Sequence, residues 1–440
     1  MTDATSSTGP VQSLARLYTM LRASKLGRNI ANVYGGDLLA KAIGVITTIL
    51  LIRVLSVNDY AAYVAFTTVL FLFPGLIGNG VNLALVRFAA EHISRTGERP
   101  LDLYATAVLL QVVMYAITCT TLLVYSEATC DILFGEKDFL LPFRIGLIAG
   151  FGYLVTQAGR RVYQAEEQFG YFVKVLWLRQ SSILILMLSL FFFHRLNFAF
   201  AASALTIVEL GVAMVVMAHV FRGIGIRHFK AAATSVSPLT GVFFVSAGWL
   251  IVYIFLLTSF ESLDIFLLSH LASTSELANY GVASRYYGMA LLLLASINAV
   301  LLPRFSKEDM QDARQQREFT RRWLKFSGWL IVPIILGAWI LKPAFIFVNG
   351  VQYEAAFPIL MVFSVGVWLS LAFSPLVNVL MSRRAFRFLV LLAAIALTVN
   401  AVGNYAMVPR WGGLAAAYVT IASYALINVS SAIRVFFSES

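Results

Sequence analysis

Apolar stretches and basic residues alternate along this chain, and that alternation restricts its fold more than any other feature. Twelve apolar stretches follow one another, at about 30–54, 61–85, 103–125, 139–158, 171–193, 198–220, 242–270, 277–303, 326–344, 355–381, 385–406 and 412–435. Each approaches or exceeds the roughly 20 residues a helix needs to cross a bilayer. Of the 33 Lys and Arg, 24 fall in the N-terminal segment, in every second connection or at the C-terminus. Only Arg53, Lys137, Arg195, Lys342 and Arg410 lie toward the opposite face. The positive-inside rule therefore places both termini and the basic loops in the cytoplasm.

Composition agrees. The chain is 60% hydrophobic and only 12% charged, about half the charge of a soluble protein. A net charge of +11 does not point to nucleic acid, because the basic residues sit at span ends on one side. There they set topology and meet anionic lipid. The expected class is an all-α polytopic protein of the cytoplasmic (inner) membrane. Residues 1–25 are polar and show no secretory h-region with a cleavage site. Cys119, in span three, and Cys130, just beyond it, do not point to a disulfide.

Shifting the chain by 217 residues aligns it with itself. Ser56 falls on Ser273, Asp59 on Glu276, Tyr63 on Tyr280, Arg87 on Arg304, Phe88 on Phe305 and Glu91 on Glu308. Polar residues at a constant offset argue for duplication. The offset carries spans one to six onto seven to twelve, so the halves share orientation, as in a parallel repeat. Two pseudo-symmetric six-helix lobes around a central cavity follow. They are bounded as a cytoplasmic segment 1–29, an N-lobe 30–220, a linker 221–241 and a C-lobe 242–440.

The residues that carry the repeat also carry a resemblance. Leu55-Ser-Val-Asn-Asp-Tyr-Ala-Ala-Tyr63, Gly78 and the run into Arg87 resemble the opening hairpin of bacterial polysaccharide flippases. These are the Wzx-type O-antigen and exopolysaccharide exporters of the multidrug/oligosaccharidyl-lipid/polysaccharide (MOP) exporter superfamily. Asp264-Ile-Phe-Leu-Leu, Glu276-Leu-Ala-Asn-Tyr280 and Ala283-Ser-Arg285 are similar to the start of that family's second lobe. Asn400, Asn404 and Pro409-Arg-Trp-Gly-Gly-Leu-Ala-Ala-Ala417 resemble its last hairpin. The resemblance implies movement of an undecaprenyl-pyrophosphate-linked oligosaccharide between leaflets, by alternating access, for assembly of O-antigen, capsule or exopolysaccharide. The sugar head would pass through a polar, cationic cavity while the lipid tail stays in the bilayer. Other polysaccharide assembly proteins are then natural partners.

Ionisable groups inside spans are costly and mark a cavity or a partner. Seven stand out: Asp37, Lys41, Arg144, Arg179, Glu209, Asp264 and Arg285. Arg179, Arg285, Arg144 and Lys41 are the candidates for binding substrate, because guanidinium forks suit pyrophosphate. Glu209, Asp264 and Asp37 are candidates for ion coupling or for pairing. Asp37 and Lys41, four apart, make a favourable helical pair. Asp264 and Arg285 fall at similar depth across a hairpin, which predicts a salt bridge. Arg144 and Arg179 have no partner nearby in the sequence, and snorkelling is the bland alternative. Arg87 and Arg304 are candidates for the cytoplasmic mouth, or plain topology anchors. Pro74 with Gly75, Gly78 and Gly80, and Pro375, offer bend points. Residues 306–325 read as an amphipathic helix on the inner leaflet, with Met310, Phe319 and Trp323 on its apolar side.

No enzyme signature appears. The five histidines are scattered, no metal-ligand motif is present and no phosphate-binding G-x-x-x-x-G-K-[ST] occurs. No cofactor is expected. H+ or Na+ coupling and consumption of the sugar on the far side both remain compatible energy sources. A multidrug exporter of the same superfamily is the nearest competing reading, with a membrane polymerase or acyltransferase further off.

Overall fold

The computed structural model describes residues 25–234, 238–305, 313–383 and 385–437. Its helices are α1 (Lys25–Val54), α2 (Val57–Thr96), α3 (Leu101–Val124), α4 (Ser126–Phe134), α5 (Leu140–Ala165), α6 (Phe169–Phe192), α7 (Phe198–Ile224), α8 (Ile226–Thr234) and α9 (Pro238–Leu271). Then come α10 (Thr274–Phe305), α11 (Ala313–Gly328), α12 (Ile331–Ile340), α13 (Lys342–Asn349), α14 (Ala356–Ser382) and α15 (Phe386–Phe437). Among the described residues no strand occurs, as expected where every backbone group must be bonded within its own segment.

Nine helical stretches among the described residues are long and apolar enough to cross a membrane. One of them, α15, folds at Gly412 into two limbs, and α1 and α10 reach 30 and 32 residues. The expected ninth span, 326–344, is not one helix. It is made of the end of α11, then α12 and the start of α13. Pro333 explains the break, since its ring would clash with the carbonyl of Trp329 in a continuing helix.

Sequence signals locate the helix ends. Ser56 caps α2 by accepting from the Asp59 amide at 3.1 Å, and Ser273 accepts from the Glu276 amide at 3.3 Å at the start of α10. These are repeat-related positions, each a Ser with an acid three residues on, as in a capping box. The Pro409-x-x-Gly turn places Gly412 at φ 54°, ψ −137°. A Cβ there would sit 2.4 Å from Glu276 Oε2, the oxygen that accepts from the Gly413 amide at 2.7 Å. Gly412→Ala is expected to lose about 1–3 kcal/mol of stability, seen as a lower thermal midpoint of the detergent-solubilised protein.

The two lobes repeat one packing pattern. In the first, α2 packs on α5, α5 on α7 and α1 on α6. In the second, α10 packs on α14, α14 on α15 and α9 on α15. The 217-residue shift turns one set of pairs into the other. Ile117, Ile185, Ile207 and Met214 are exposed on the flanks, where a bilayer would cover them. Lobe meets lobe chiefly through α2, which runs along α9 and touches α10. Gly80 permits this approach, since a Cβ would lie 2.8 Å from the Ile251 Cα.

The segment after α10 differs from expectation. Met310 lies outside the described residues, and α11 is held against α14 rather than resting on lipid alone. Trp323 Nε1 donates to the Leu371 carbonyl at 3.0 Å, and the Arg383 guanidinium donates twice to Gln316 Oε1 at 2.8 and 3.0 Å. Cys119 and Cys130 are both free thiols.

Candidate functional site

A cavity of about 750 Å³ lies between the lobes. Helical periodicity explains its lining. Lys41, Gly44 and Thr48 share one face of α1, and Tyr63, Thr67 and Phe71 share one face of α2. From α6 come Arg179, Gln180 and Ile183, from α9 Glu261 and Asp264, and from α10 Tyr280, Arg285 and Tyr287. Phe363 of α14 and Thr420 and Tyr424 of α15 complete it.

Arg179 has a partner that sequence distance hid. Its Nε donates to Glu209 Oε1 at 2.8 Å and its Nη2 donates to the same oxygen. Glu209 is on α7, 30 residues away and fully buried, and its Oε2 has no hydrogen-bond partner among the described residues. The Arg179 guanidinium also lies 5.5 Å from the Tyr153 ring centroid. The pair leaves one edge of a positive group at the cavity wall.

Asp264 and Arg285 both line the cavity but are not joined, so the hairpin salt bridge is corrected. Arg285 reaches across the lobe boundary and its Nη2 donates to Thr67 Oγ1. Asp264 turns into its own lobe. Its Oδ2 accepts from the Tyr280 and Thr420 hydroxyls, and its Oδ1 accepts from Asn404 Nδ2 at 2.8 Å. Asn404 Nδ2 also lies 3.0 Å from Asn400 Oδ1. The reason is rotation about the helix axis: equal depth in a hairpin does not make two side chains face each other. Asp264 is 3% exposed, and among the described residues no base is bonded to it.

The remaining candidates separate. Lys41 lines the cavity. The Asp37 and Arg304 side chains lie outside the described residues. Arg144 is not in the cavity lining. It sits where α5 meets α4, its Nε donating to Ser126 Oγ at 2.8 Å and its Nη2 3.9 Å from Glu127 Oε1. Arg87 lines a different cleft, on the basic face. Glu261 is a cavity residue that the sequence reading passed over. Its spacing three before Asp264 puts both carboxyls on one helix face, and that was the available signal.

On the side away from the basic loops, the lobes touch beside the cavity. A Cβ on Gly281 would come 2.4 Å from Val64 Cγ2, and Tyr60 meets Tyr353 edge-on at 5.7 Å. On the basic side, Phe88 of α2 meets Phe243 of α9 edge-on at 5.6 Å. The cavity is thus bipolar. Lys41 and Arg179 stand on the N-lobe wall, Glu261 and Asp264 on the C-lobe wall, and Arg285 bridges the two.

Comparison with known proteins agrees with this geometry. No curated protein matches the chain at a significant level. Among solved structures, the lipid II flippase MurJ in an inward closed conformation superposes with TM-score 0.68 at 14% identity, over 93% of each chain. A multidrug resistance MATE family transporter of the MOP superfamily, inward-facing, superposes with TM-score 0.61 at 12% identity, over 90% of this chain and 94% of that one. The Vibrio cholerae MATE transporter VcmN gives TM-score 0.65 at 13% identity, over 96% of both. At such identities the likeness concerns the fold, which in these proteins serves transport rather than enzymatic catalysis. The model of the family described as polysaccharide biosynthesis protein matches residues 26–308. The chain belongs to that family, and its fold is the one seen in the flippase and transporter structures above.

Proposed function

We propose that the protein flips an undecaprenyl-pyrophosphate-linked oligosaccharide from the inner to the outer leaflet of the cytoplasmic membrane, feeding assembly of a surface polysaccharide. The observation that carries this reading is the convergence of Lys41, Arg179 and Arg285 on one inter-lobe cavity in a polysaccharide biosynthesis family. Guanidinium and ammonium groups meet the pyrophosphate, and Tyr63, Tyr287 and Tyr424 offer faces and hydroxyls to the sugar. The basic face is cytoplasmic, and so are both termini. The lobes, 30–220 and 242–440, rock about the cavity and are joined by 221–241. The contacts of Val64 with Gly281 and of Arg285 with Thr67 open when the cavity turns outward.

Asp264 is the coupling group. A carboxyl buried among hydroxyls and amides in a membrane interior needs a proton or a small cation to offset its charge. Binding or release of that H+ or Na+ then alters how Tyr280, Thr420 and Asn404 hold α10 and α15 together.

The test is lipid analysis of cells lacking the protein. Undecaprenyl-linked oligosaccharide is expected to accumulate facing the cytoplasm, with loss of surface polysaccharide. One observation favours a second reading, export of cationic small molecules: Glu261 and Asp264 stand beside the aromatic Tyr287, Phe363 and Tyr424. Unchanged surface glycans together with altered tolerance to cationic drugs would select it.

A further inference from the structure

A second cavity, of about 560 Å³, opens on the basic face, away from the central one. One wall is the end of α2. Arg87, Glu91 and Arg95 lie there at four-residue spacing, and His92 lies beside them. The facing wall comes from the other lobe, with Val242 of α9 and Phe386 of α15 among its apolar residues. The Arg87 and Arg95 guanidinium groups are exposed and bonded to nothing among the described residues. Neighbouring arginines behave differently. Arg387 lies over the Trp249 ring at 5.4 Å and Arg434 over Phe388 at 5.6 Å, so each has an aromatic partner.

We propose that this cleft is a binding site for the phosphate headgroup of an anionic phospholipid, separate from the transport cavity and shared between the lobes. Three features combine. Two cationic forks without partners suit a phosphate. The opposite wall is apolar, which suits acyl carbons and not a free ion. The cleft sits at the membrane edge on the face whose leaflet carries anionic lipid, where basic pockets between helices take such headgroups. Glu91 between the arginines lowers the net charge of the three to +1, which matches the single charge of one phosphodiester. Because the lipid touches both α2 and α9, it favours the arrangement in which those helices are in contact and slows their separation. The site stands whatever species crosses the central cavity.

The test uses the full-length protein in phosphatidylcholine nanodiscs with a photo-activatable phosphatidylglycerol. Crosslinks are expected on 87–96 and 242–250. Arg87→Gln with Arg95→Gln is expected to weaken binding about 30-fold, the effect of two basic residues near a membrane surface. Val242→Trp, which fills the mouth at an exposed position without altering charge, is expected to lower the yield as well. Equal crosslinking in the double glutamine variant, or crosslinks spread evenly over the basic face, would overturn the site. So would displacement by excess inorganic phosphate, which would assign it to a free anion. Displacement by undecaprenyl pyrophosphate at lower concentration than phosphatidylglycerol would overturn the phospholipid assignment and make the cleft a docking place for substrate.

Discussion

Glu209→Ala is expected to lose about 3–5 kcal/mol of stability, the usual result of stranding one member of a buried ion pair. The Arg179 side chain is 11% exposed and Glu209 is fully buried, so the abandoned guanidinium has little access to water. Arg179→Ala should be comparably damaging, because it leaves a buried carboxylate whose second oxygen already has no partner. The paired change Arg179→Met with Glu209→Leu is expected to restore stability, since apolar replacement of a whole buried pair is often neutral or better. Thermal midpoints and membrane abundance of the three variants measure this directly. Unchanged midpoints in both single variants would sink the ion-pair account. The restored double variant then isolates function: it should be folded yet fail to export polysaccharide, because the positive edge at the cavity wall is gone. Full export by the double variant would remove Arg179 from the substrate site and leave it a structural residue.

Asp264→Asn is the second large effect, and it should act on transport rather than on folding. The amide oxygen, standing in for Oδ2, can still accept from Tyr280 and Thr420, and the new amide can donate to the unpartnered Asn404 Oδ1 once that side chain turns over, so the α9–α10–α15 junction keeps most of its bonds. The side chain, however, can no longer gain or lose charge. Gradient-driven flipping in proteoliposomes is expected to drop at least 100-fold, and dependence on external pH or Na+ to disappear. An Asp264→Asn protein that keeps full, ion-dependent transport would exclude this carboxyl as the coupling group. Glu261, three residues earlier on the same helix face, would then be the next residue to change.

Much of the scaffold was legible because its causes are local. Span positions follow from hydropathy, and the starts of α2 and α10 from Ser56 and Ser273 with acids three residues on. Gly412 in its Pro-x-x-Gly-x-x-Ala-Ala turn marks the last hairpin for the same reason: a backbone at positive φ selects glycine. The internal repeat also transferred, because duplicated helices keep their packing partners. It did not carry over the chemistry. Under the 217-residue shift, Asp264, Asn400, Asn404 and Thr420 correspond to Thr47, Ile183, Met187 and Ser203, and Arg179 and Glu209 to Ala396 and Leu426. The lobes share a frame and have separate polar centres.

The sequence by itself determined a membrane bundle of two repeated halves and listed the charged residues that such a bundle must accommodate. Tertiary structure decided what those residues do. Arg144 went to the α4–α5 junction away from the cavity, Arg179 to Glu209, Asp264 to three neutral donors from α10 and α15, and Arg285 across the lobe boundary to Thr67. Hydropathy gives the depth of a residue along the membrane normal. Which neighbour it meets depends on how each helix is rotated and packed, and those contacts join positions up to 218 residues apart.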